Sequence, residues 1–473
     1  MKKDFASDAL RRALKGRMAW WMQALLWALG VAVFYVFALN ARYARIDEFA
    51  SYRMEELTRL TAAVYTAIYA VSLCVQLRVG RRLECYAQVL LAMLTGLILL
   101  AKISLLDYVS DDYTIFLSDW IYTYSQMSLR QGLGWYIAGD YTPPYLYLLQ
   151  LISRVDSYPW QYLVKAYSIL ADVLLGYAVM KLAGLRVKGD GARLMLFHIA
   201  TLLPTVVFNG AYWAQCDVIY TSVCLLALYL GMKRRGALSM ALFGVALSFK
   251  LQTVFFLPVL MPLWLRRDVK LRHVLLIPAM YMVMMIPALW GGKSLNHVLT
   301  AYTKQAEQYS FITMNGPSLY QLLPEGIDAG TLYEMFGGMA MALGFALVLA
   351  MCAMVSLRRD HLSDDSVVLA CLLMLAGLPF LLPKMHERYA FGADVLALVA
   401  VAYDRKRFAL PFLFGLSSYL CYTAGLPGDT VMDLKWAALL QGTGVALTAA
   451  ALWRSLNGAC GTDQAACVAE VKA

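Results

Sequence analysis

Long apolar runs recur in this chain from position 18 to position 453, and they constrain its fold more than any other feature. Each run is close to the roughly 20 helical residues that cross a bilayer core. The polar stretches between them are too short to fold alone. Only 15% of the residues are charged, against about 25% in soluble domains. The chain is therefore predicted to be one all-α polytopic membrane domain, and a soluble enzyme is excluded.

The apolar runs predict about fourteen transmembrane helices at roughly 20 residues for each crossing. The run from 237 to 266 is too long for one helix and short for two, and Ser248, Lys250 and Gln252 lie at its middle. We therefore predict two short helices that meet there in a hairpin. The other predicted spans are 18–40, 60–78, 85–107, 161–183, 193–212, 217–232, 273–291, 331–356, 366–382, 389–404, 407–425 and 434–453.

The positions of the basic residues predict the orientation in the membrane, because cytoplasmic loops hold an excess of Lys and Arg. If the N-terminus is cytoplasmic and the spans alternate, most of the 41 Lys and Arg residues fall in inner loops. Both ends are then cytoplasmic, and the long connections 108–160 and 292–330 face the outside. The net charge of +10 comes from these short clusters, so membrane lipids and not nucleic acid are the expected partners.

Ionisable residues recur at five places beside or within the predicted spans, where a charge costs several kcal/mol unless it has a partner or a function. By the predicted topology all five places lie on the outer side of the membrane, which predicts one shared site. The segments are SDDY at 110–113, DYTPPY at 140–145, QCD at 215–217, KLQ at 250–252 and PKMHERY at 383–389.

The charges of these segments divide by type. The early segments supply carboxylates, and the later ones supply the cations Lys250, Lys384, His386 and Arg388. Cations bind phosphate through charge-assisted hydrogen bonds, and a carboxylate can take the proton of a hydroxyl that becomes a nucleophile. Together these residues predict sugar transfer from a lipid phosphate to an alcohol. The 9 cysteines contain no CxxC pair, so neither disulfides nor a metal site is expected.

The motifs SDDYTIFLSDW, DYTPPYLYLL, NGAYWAQCD, SFKLQ and PKMHERY, in this order, resemble those of the GT-C polytopic glycosyltransferases. The chain is most similar to bacterial relatives of the GPI-anchor mannosyltransferases, and more distantly to the ER glucosyltransferases that extend lipid-linked oligosaccharide. The resemblance covers about residues 85–425 and implies a GT-C-type catalytic core there. Residues 1–84 then hold an N-terminal cytoplasmic segment and two additional helices, and 426–473 hold the final helix and a cytoplasmic tail.

The resemblance also implies an activity. A monosaccharide, such as mannose or another hexose, would move with inversion from a polyprenyl-phosphate donor to an acceptor glycan, lipid or protein. The reaction would take place on the extracytoplasmic face of a bacterial cytoplasmic membrane, without a cofactor or metal.

Individual residues are assigned within this scheme. The family's general base falls on Asp112, counted from Phe116 and Trp120. The donor phosphate is assigned to Lys250, Lys384, His386 and Arg388. Asp140 departs from the family pattern, because many relatives have Asn at that place. Further substrate contacts are assigned to Asp111, Asp140, Tyr141, Trp213, Gln215, Asp217, Gln252 and Glu387.

Structural interpretations of the same residues stay open at this point. The pair Asp111 and Asp112 can be solvated at a helix end, Asp217 can cap the next helix, and Lys250 can extend to the interface. A function of another class is also open, because a flippase or transporter of a lipid-linked glycan would bind the headgroup through the same cations. Such a protein would need no general base.

Overall fold

The computed structural model describes residues 16–43, 52–135, 141–324, 326–426 and 431–458. Helices make up 79% of the structure, and the strands within the described residues are two segments of two residues each. Nine described helices are long and apolar enough to cross a membrane, or ten if one bent pair counts as a span. The prediction of an all-α membrane protein is confirmed at this level.

The helices follow one another through short connections, and we number them in chain order. They are α1 Trp20–Tyr43, α2 Tyr52–Val79, α3 Cys85–Ile103, α4 Ser118–Ser125, α5 Leu129–Gly134, α6 Pro143–Ile152, α7 Trp160–Ala183, α8 Asp190–Leu202, α9 Pro204–Val207, α10 Asp217–Met232, α11 Gly236–Phe249, α12 Leu260–Leu265, α13 Leu276–Trp290, α14 Leu295–Glu307, α15 Ala329–Leu357, α16 Asp364–Leu381, α17 Phe391–Tyr403, α18 Ala409–Gly425 and α19 Leu434–Gly458. The strands are β1 Thr313–Met314 and β2 Met385–His386, which pair in parallel.

The chain forms two compact units, each built from two separate stretches of sequence. Unit 1 comprises Met1–Ser125 and Leu151–Val218. Its apolar core joins α1, α2, α3, α7 and α8, and Phe34 of α1 stacks on Tyr69 of α2 with ring centroids 4.5 Å apart. Only 11% of the apolar window of α1 is buried, which suits a helix that presents most of its side chains to lipid.

A bend in unit 1 leads into the segment with the NGAYWAQCD motif. The helix α8 ends at Leu202, and the chain continues at an angle of 54° from Pro204 to Tyr212. Leu203 has non-helical dihedrals, and Pro204 is the first residue of α9, a position that tolerates proline because no N–H is needed there. The turn before Trp213 is a π-helix, Phe208–Tyr212. The predicted span 193–212 is therefore a bent helix.

Unit 2 comprises Gln126–Gln150 and Ile219–Ala473. Its centre is formed by α16 and α17, in which every residue from Ser366 to Pro379 and from Phe391 to Ala400 is buried. A hydrogen bond of 3.0 Å from Ser418 Oγ to Asp394 Oδ1 joins α18 to α17. The long helix α15 has only 22% of its apolar window buried, which suits a helix with a broad lipid-facing surface.

The apolar run from 237 to 266 is interrupted where its polar residues lie. The helix α11 ends at Phe249, and Lys250 has extended dihedrals of φ −154° and ψ 138°. Two 3-10 turns, Leu251–Phe255 and Leu257–Val259, then lead into α12. The interruption predicted at Lys250 is therefore confirmed.

Two other predicted spans form helices shorter than a crossing. The helix α10 has 16 residues and α17 has 13, whereas a bilayer core requires about 20. Both lie at the predicted places, but neither is among the nine long apolar helices of the described chain. The predicted number of about fourteen crossings stays a prediction.

Candidate functional site

The carboxylate of Asp112 is held by two side chains of unit 1. Trp213 Nε1 donates to Asp112 Oδ2 at 3.0 Å, and Gln215 Nε2 donates to the same oxygen at 2.6 Å. Asp112 immediately precedes a π-helical turn, Tyr113–Leu117, so its backbone is part of a continuous helical segment. Two neutral donors on one carboxylate oxygen fix the orientation of the group. The structure thus brings together three predicted residues from two motifs, and we call Asp112, Trp213 and Gln215 the carboxylate site.

A strained residue between the two donors aims both of them at Asp112. Ala214 has φ of 67° and is almost fully buried, in the left-handed region that costs a residue with a Cβ roughly 1–2 kcal/mol. The backbone N–H groups on either side bond back into the π-turn, from Trp213 to the Phe208 carbonyl at 2.8 Å and from Gln215 to the Asn209 carbonyl at 2.8 Å. This tight reversal explains how residues 213 and 215 reach one oxygen.

The two neighbouring aspartates of the SDDY segment have different surroundings. Asp111 is exposed, and its backbone carbonyl accepts from Thr114 Oγ1 at 3.0 Å. Asp112 is half-buried and carries the contacts of the carboxylate site. Before them, Ser110 Oγ donates to the Trp213 carbonyl at 2.9 Å, which ties the two segments together a second time.

Asp217 lies in unit 1, at the start of α10. It is fully buried, and its carboxylate accepts a hydrogen bond of 2.8 Å from Asn209 Nδ2. Asn209, which the sequence reasoning missed, thus links the π-turn to α10. The only sequence signal for it is its place in the NGAYWAQCD motif.

In unit 2, Lys250 lies in the gap between α11 and the following 3-10 turn. Its side chain is 5% exposed, and its Nζ lies 5.6 Å from the centroid of the Tyr141 ring, which is cation–π range. Thr142 Oγ1 donates to the Ser248 carbonyl at 2.5 Å, so the Tyr141 segment is tied to the end of α11. Gln252 is also buried. Asp140 lies outside the described residues.

The His386, Glu387 and Arg388 segment forms a compact charged group. Glu387 is buried, with its Oε1 2.9 Å from Arg388 Nη1 and its Oε2 3.7 Å from His386 Nδ1. Burial alone would raise the pKa of Glu387, but His386 and the charge of Arg388 outweigh it and hold that pKa below its ordinary value. The rings of Tyr309 and Tyr389 flank the His386 ring at 5.9 and 5.1 Å. We call His386, Glu387 and Arg388 the charged triplet.

The backbone of this segment is fixed by β2, which pairs with β1 so that His386 lies opposite Met314. Lys384, just before β2, has φ of 64°. Its Nζ donates to the Ala306 carbonyl at 2.8 Å and lies 4.8 Å from the centroid of the Tyr333 ring. The ammonium of Lys384 therefore ties the segment before β2 to the last turn of α14, whereas the side chains of the charged triplet contact one another.

The structure also assigns contacts to polar residues that no motif had singled out. Tyr108 stacks on Tyr212 with ring centroids 3.6 Å apart, and burial, followed by interaction with Tyr212, raises the pKa of Tyr108 to about 12. Ser168 and Lys165 of α7 contact backbone carbonyls near the carboxylate site. Within the described ranges no cluster of three or more His, Cys, Asp or Glu side chains could hold a metal ion.

Comparison of the chain with models of known protein families gives no match. A comparison with curated proteins gives no match either.

Proposed function

We propose that this chain is an inverting glycosyltransferase of the GT-C type, which moves a monosaccharide from a polyprenyl-phosphate donor to an acceptor outside the cytoplasm. The observation that carries the proposal is the carboxylate site, in which two neutral donors orient Asp112 through one oxygen. A general base must be held within hydrogen-bond reach of the proton that it takes. A carboxylate whose orientation is fixed in this way suits that task.

In the proposed reaction Asp112 accepts the proton of the acceptor hydroxyl. The hydroxyl oxygen forms a bond to the anomeric carbon of the sugar while the bond from that carbon to the phosphate oxygen breaks. The electron pair of the broken bond stays on the polyprenyl phosphate, and the configuration at the anomeric carbon inverts. No acid is required for the leaving group, because a lipid phosphate leaves as an anion.

The donor phosphate is assigned to cations of unit 2. Arg388 and His386 each lie beside the buried carboxylate of Glu387, which keeps their side chains ordered. Lys250 contributes a further ammonium. Preorganised cations that face growing negative charge commonly supply a large part of catalysis. Lys384 is better suited to holding the adjacent backbone, because its ammonium donates to the Ala306 carbonyl.

The finer details of the fold belong to the same proposal. About fourteen crossings result if the shorter apolar helices α10, α11 and α17 and the turns leading into α12 also lie within the bilayer. Such helices can be accommodated when protein covers them, and every residue of α17 from Phe391 to Ala400 is buried.

The test is an assay on purified protein in lipid nanodiscs, with a panel of polyprenyl-phosphate sugars and detection of released polyprenyl phosphate. Replacing Asp112 by Asn should lower the rate by about 10² to 10⁴, the usual contribution of a positioned base. Asp111→Asn is the matched control and should cost about tenfold or less, because Asp111 is exposed.

Two outcomes would contradict this assignment. If Asp111→Asn is the damaging change, the base is the neighbouring residue. If wild-type protein releases no polyprenyl phosphate but moves a lipid-linked glycan across vesicle membranes, and Asp112→Asn does so equally well, the flippase hypothesis replaces the enzyme.

A further inference from the structure

The segment that leaves α3 carries backbone carbonyls that the helix itself does not satisfy. The last carbonyls of any helix lack an N–H four residues ahead, and after Ile103 the chain passes through turns up to Ser110. Leu106 and Ser110 are buried in this segment, and a buried carbonyl without a hydrogen bond costs roughly 1–3 kcal/mol. The backbone from 104 to 110 therefore needs donors from elsewhere, and it leads directly to Asp112.

The helix α7 supplies those donors from two residues one turn apart. Lys165 Nζ donates to the carbonyls of Leu105, Leu106 and Tyr108 at 3.1, 2.9 and 2.7 Å. An ammonium has three N–H bonds, and each of them finds a carbonyl here. Gln161 Nε2 donates to the Leu106 and Tyr108 carbonyls, both at 2.7 Å. Lys165 is 1% exposed, so these bonds are shielded from solvent.

The same face of α7 also holds the opposite side of the carboxylate site. Ser168 Oγ donates to the backbone carbonyl of Gln215 at 2.5 Å. A Cβ on Gly210 would lie 3.2 Å from the Ser168 Cβ, so the π-turn packs closely on α7 at this point. Positions 161, 165 and 168 fall on one helix face. One rigid helix thus fixes both the segment before Asp112 and the segment that carries its two donors.

The contacts of Lys165 differ from those of the other buried lysine in unit 1. Lys102 of α3 forms an ion pair of 2.5 Å with Asp172 of α7, which is an ordinary way to place a cation in a membrane protein. Lys165 donates to backbone carbonyls instead. Asp107, which lies in the same turn, is itself paired with Arg42 at 2.8 Å. A lysine directed at three carbonyls of one turn is suited to fixing the path of that turn.

We propose that Lys165 is a positioning residue that acts through Asp112. By fixing the backbone at 105–108 it sets the register in which Asp112 meets Trp213 and Gln215, and Gln161 assists it. The kinetic part of this inference rests on the proposed function. The geometric part concerns the order of residues 104–112 and stands apart from any activity.

The kinetic experiment compares Lys165→Met, which keeps the length of the side chain and removes its N–H groups, with wild-type protein in the polyprenyl-phosphate release assay. The turnover number should fall about 10- to 100-fold, because a small misplacement of a catalytic group has an effect of that size. The KM for the donor should change less than about twofold, because donor contacts are retained. In an Asp112→Asn background the same change should have no further effect, since positioning a base that is absent gains nothing.

The structural experiment measures hydrogen–deuterium exchange in peptides covering 104–112. Exchange should become faster in Lys165→Met and, to a smaller extent, in Gln161→Leu. The second variant keeps the lysine and still tests the proposal if Lys165→Met folds poorly. Gln441→Met is the matched control in unit 2, because Gln441 is fully buried and also donates to a backbone carbonyl, that of Ala376 at 2.9 Å. It should leave exchange at 104–112 unchanged.

The outcomes separate this inference from the proposed function. Faster exchange at 104–112 in a protein that transfers no sugar would keep the positioning of the segment and reject the enzyme. Unchanged exchange in both α7 variants would overturn the positioning, whatever the activity. A loss of turnover that multiplies with that of Asp112→Asn would also overturn it, because Lys165 would then act independently of the carboxylate.

Discussion

Glu387 shows how a single buried acid orders its basic neighbours. Its carboxylate is surrounded by Arg388 and His386, and a buried charge is tolerated only when it is paired in this way. A carboxylate that contacts two basic side chains keeps both of them in place. The charged triplet is therefore preorganised to receive an anion without exposing an isolated basic patch.

Replacing Arg388 by Ala should weaken binding of the polyprenyl-phosphate donor by about 1.5–3 kcal/mol, the usual effect of losing a hydrogen bond to a charged group. That corresponds to roughly a 10- to 150-fold higher dissociation constant. Acceptor affinity should change little. Titration of each substrate against the nanodisc-bound variant measures both effects.

Lys384→Met is the control for this prediction, because the Lys384 ammonium contacts Ala306 and Tyr333. It should reduce donor affinity clearly less than Arg388→Ala. An equal loss of donor and acceptor binding in Arg388→Ala, or no loss at all, would contradict the assignment of the phosphate.

The lowered pKa of Glu387 predicts how stability depends on acid pH. A carboxylate whose pKa is lower in the folded state than its ordinary 4.5 contributes stability that is fully present above 4.5. This contribution is lost as the pH falls through the folded-state value. The apparent melting temperature of wild-type protein should therefore exceed that of Glu387→Gln near pH 7, and the difference should shrink below about pH 4.5. A difference in melting temperature that grows as the pH falls would contradict this prediction.

At the scale of elements, the close contact of α7 with α8 depends on a glycine. A Cβ on Gly176 would lie 2.6 Å from a ring carbon of Phe197, and Phe197 is 2% exposed, so the ring has little room to move. This contact fixes the helix that carries Gln161, Lys165 and Ser168 against the start of the bent span.

Gly176→Ala is predicted to destabilise the protein by about 1–3 kcal/mol, the usual cost of overpacking a core. Gly415→Ala in α18 is the matched control, since no atom lies within 4 Å of the added Cβ. Both changes gain up to about 1 kcal/mol of helix propensity, so only the clash separates them. Apparent melting temperatures in one detergent should fall for the first variant and hold or rise for the second.

The sequence predicts the positions of the helices better than the contacts between them. Run length and apolar content are local properties, and the interruption at Lys250 is marked by polar residues within an apolar run. The bend at Pro204 was missed because proline is tolerated within membrane helices. The carboxylate site depends on the left-handed backbone of Ala214, and Lys165 acts on carbonyl oxygens. Neither feature has a sequence signature.

For the whole molecule, an even or odd number of crossings determines whether the two chain ends lie on the same side of the membrane. Nine crossings would place the segments before α1 and after α19 on opposite sides of the membrane. Ten or fourteen would place them on the same side. The charge pattern predicts the same side, the cytoplasm, because with fourteen crossings the inner loops hold most of the 41 Lys and Arg residues. Fourteen crossings include the bent pair of α8 and α9, in which Pro204 opens the second helix.

A reporter enzyme that is active only outside the cytoplasm tests this topology. Fused after Gly458 it should be inactive, and inserted between Lys293 and Ser294 it should be active, because connection 292–330 is predicted to face outward. Activity after Gly458 together with none at Lys293 would invert the orientation. Activity at both places would mean an even number of crossings between Lys293 and Gly458, and would contradict the five that are predicted there.

The division of the chain into units has a consequence for biosynthesis. Unit 1 needs Leu151–Val218 as well as the first 125 residues, and Gln126–Gln150 belongs to a unit whose other part starts at Ile219. The ribosome therefore synthesises segment 126–150 before the other stretch of unit 2, and the second stretch of unit 1 is synthesised between them. Cutting the gene between codons 218 and 219 would not separate the units either. The two halves would have to be synthesised together to form a complete second unit.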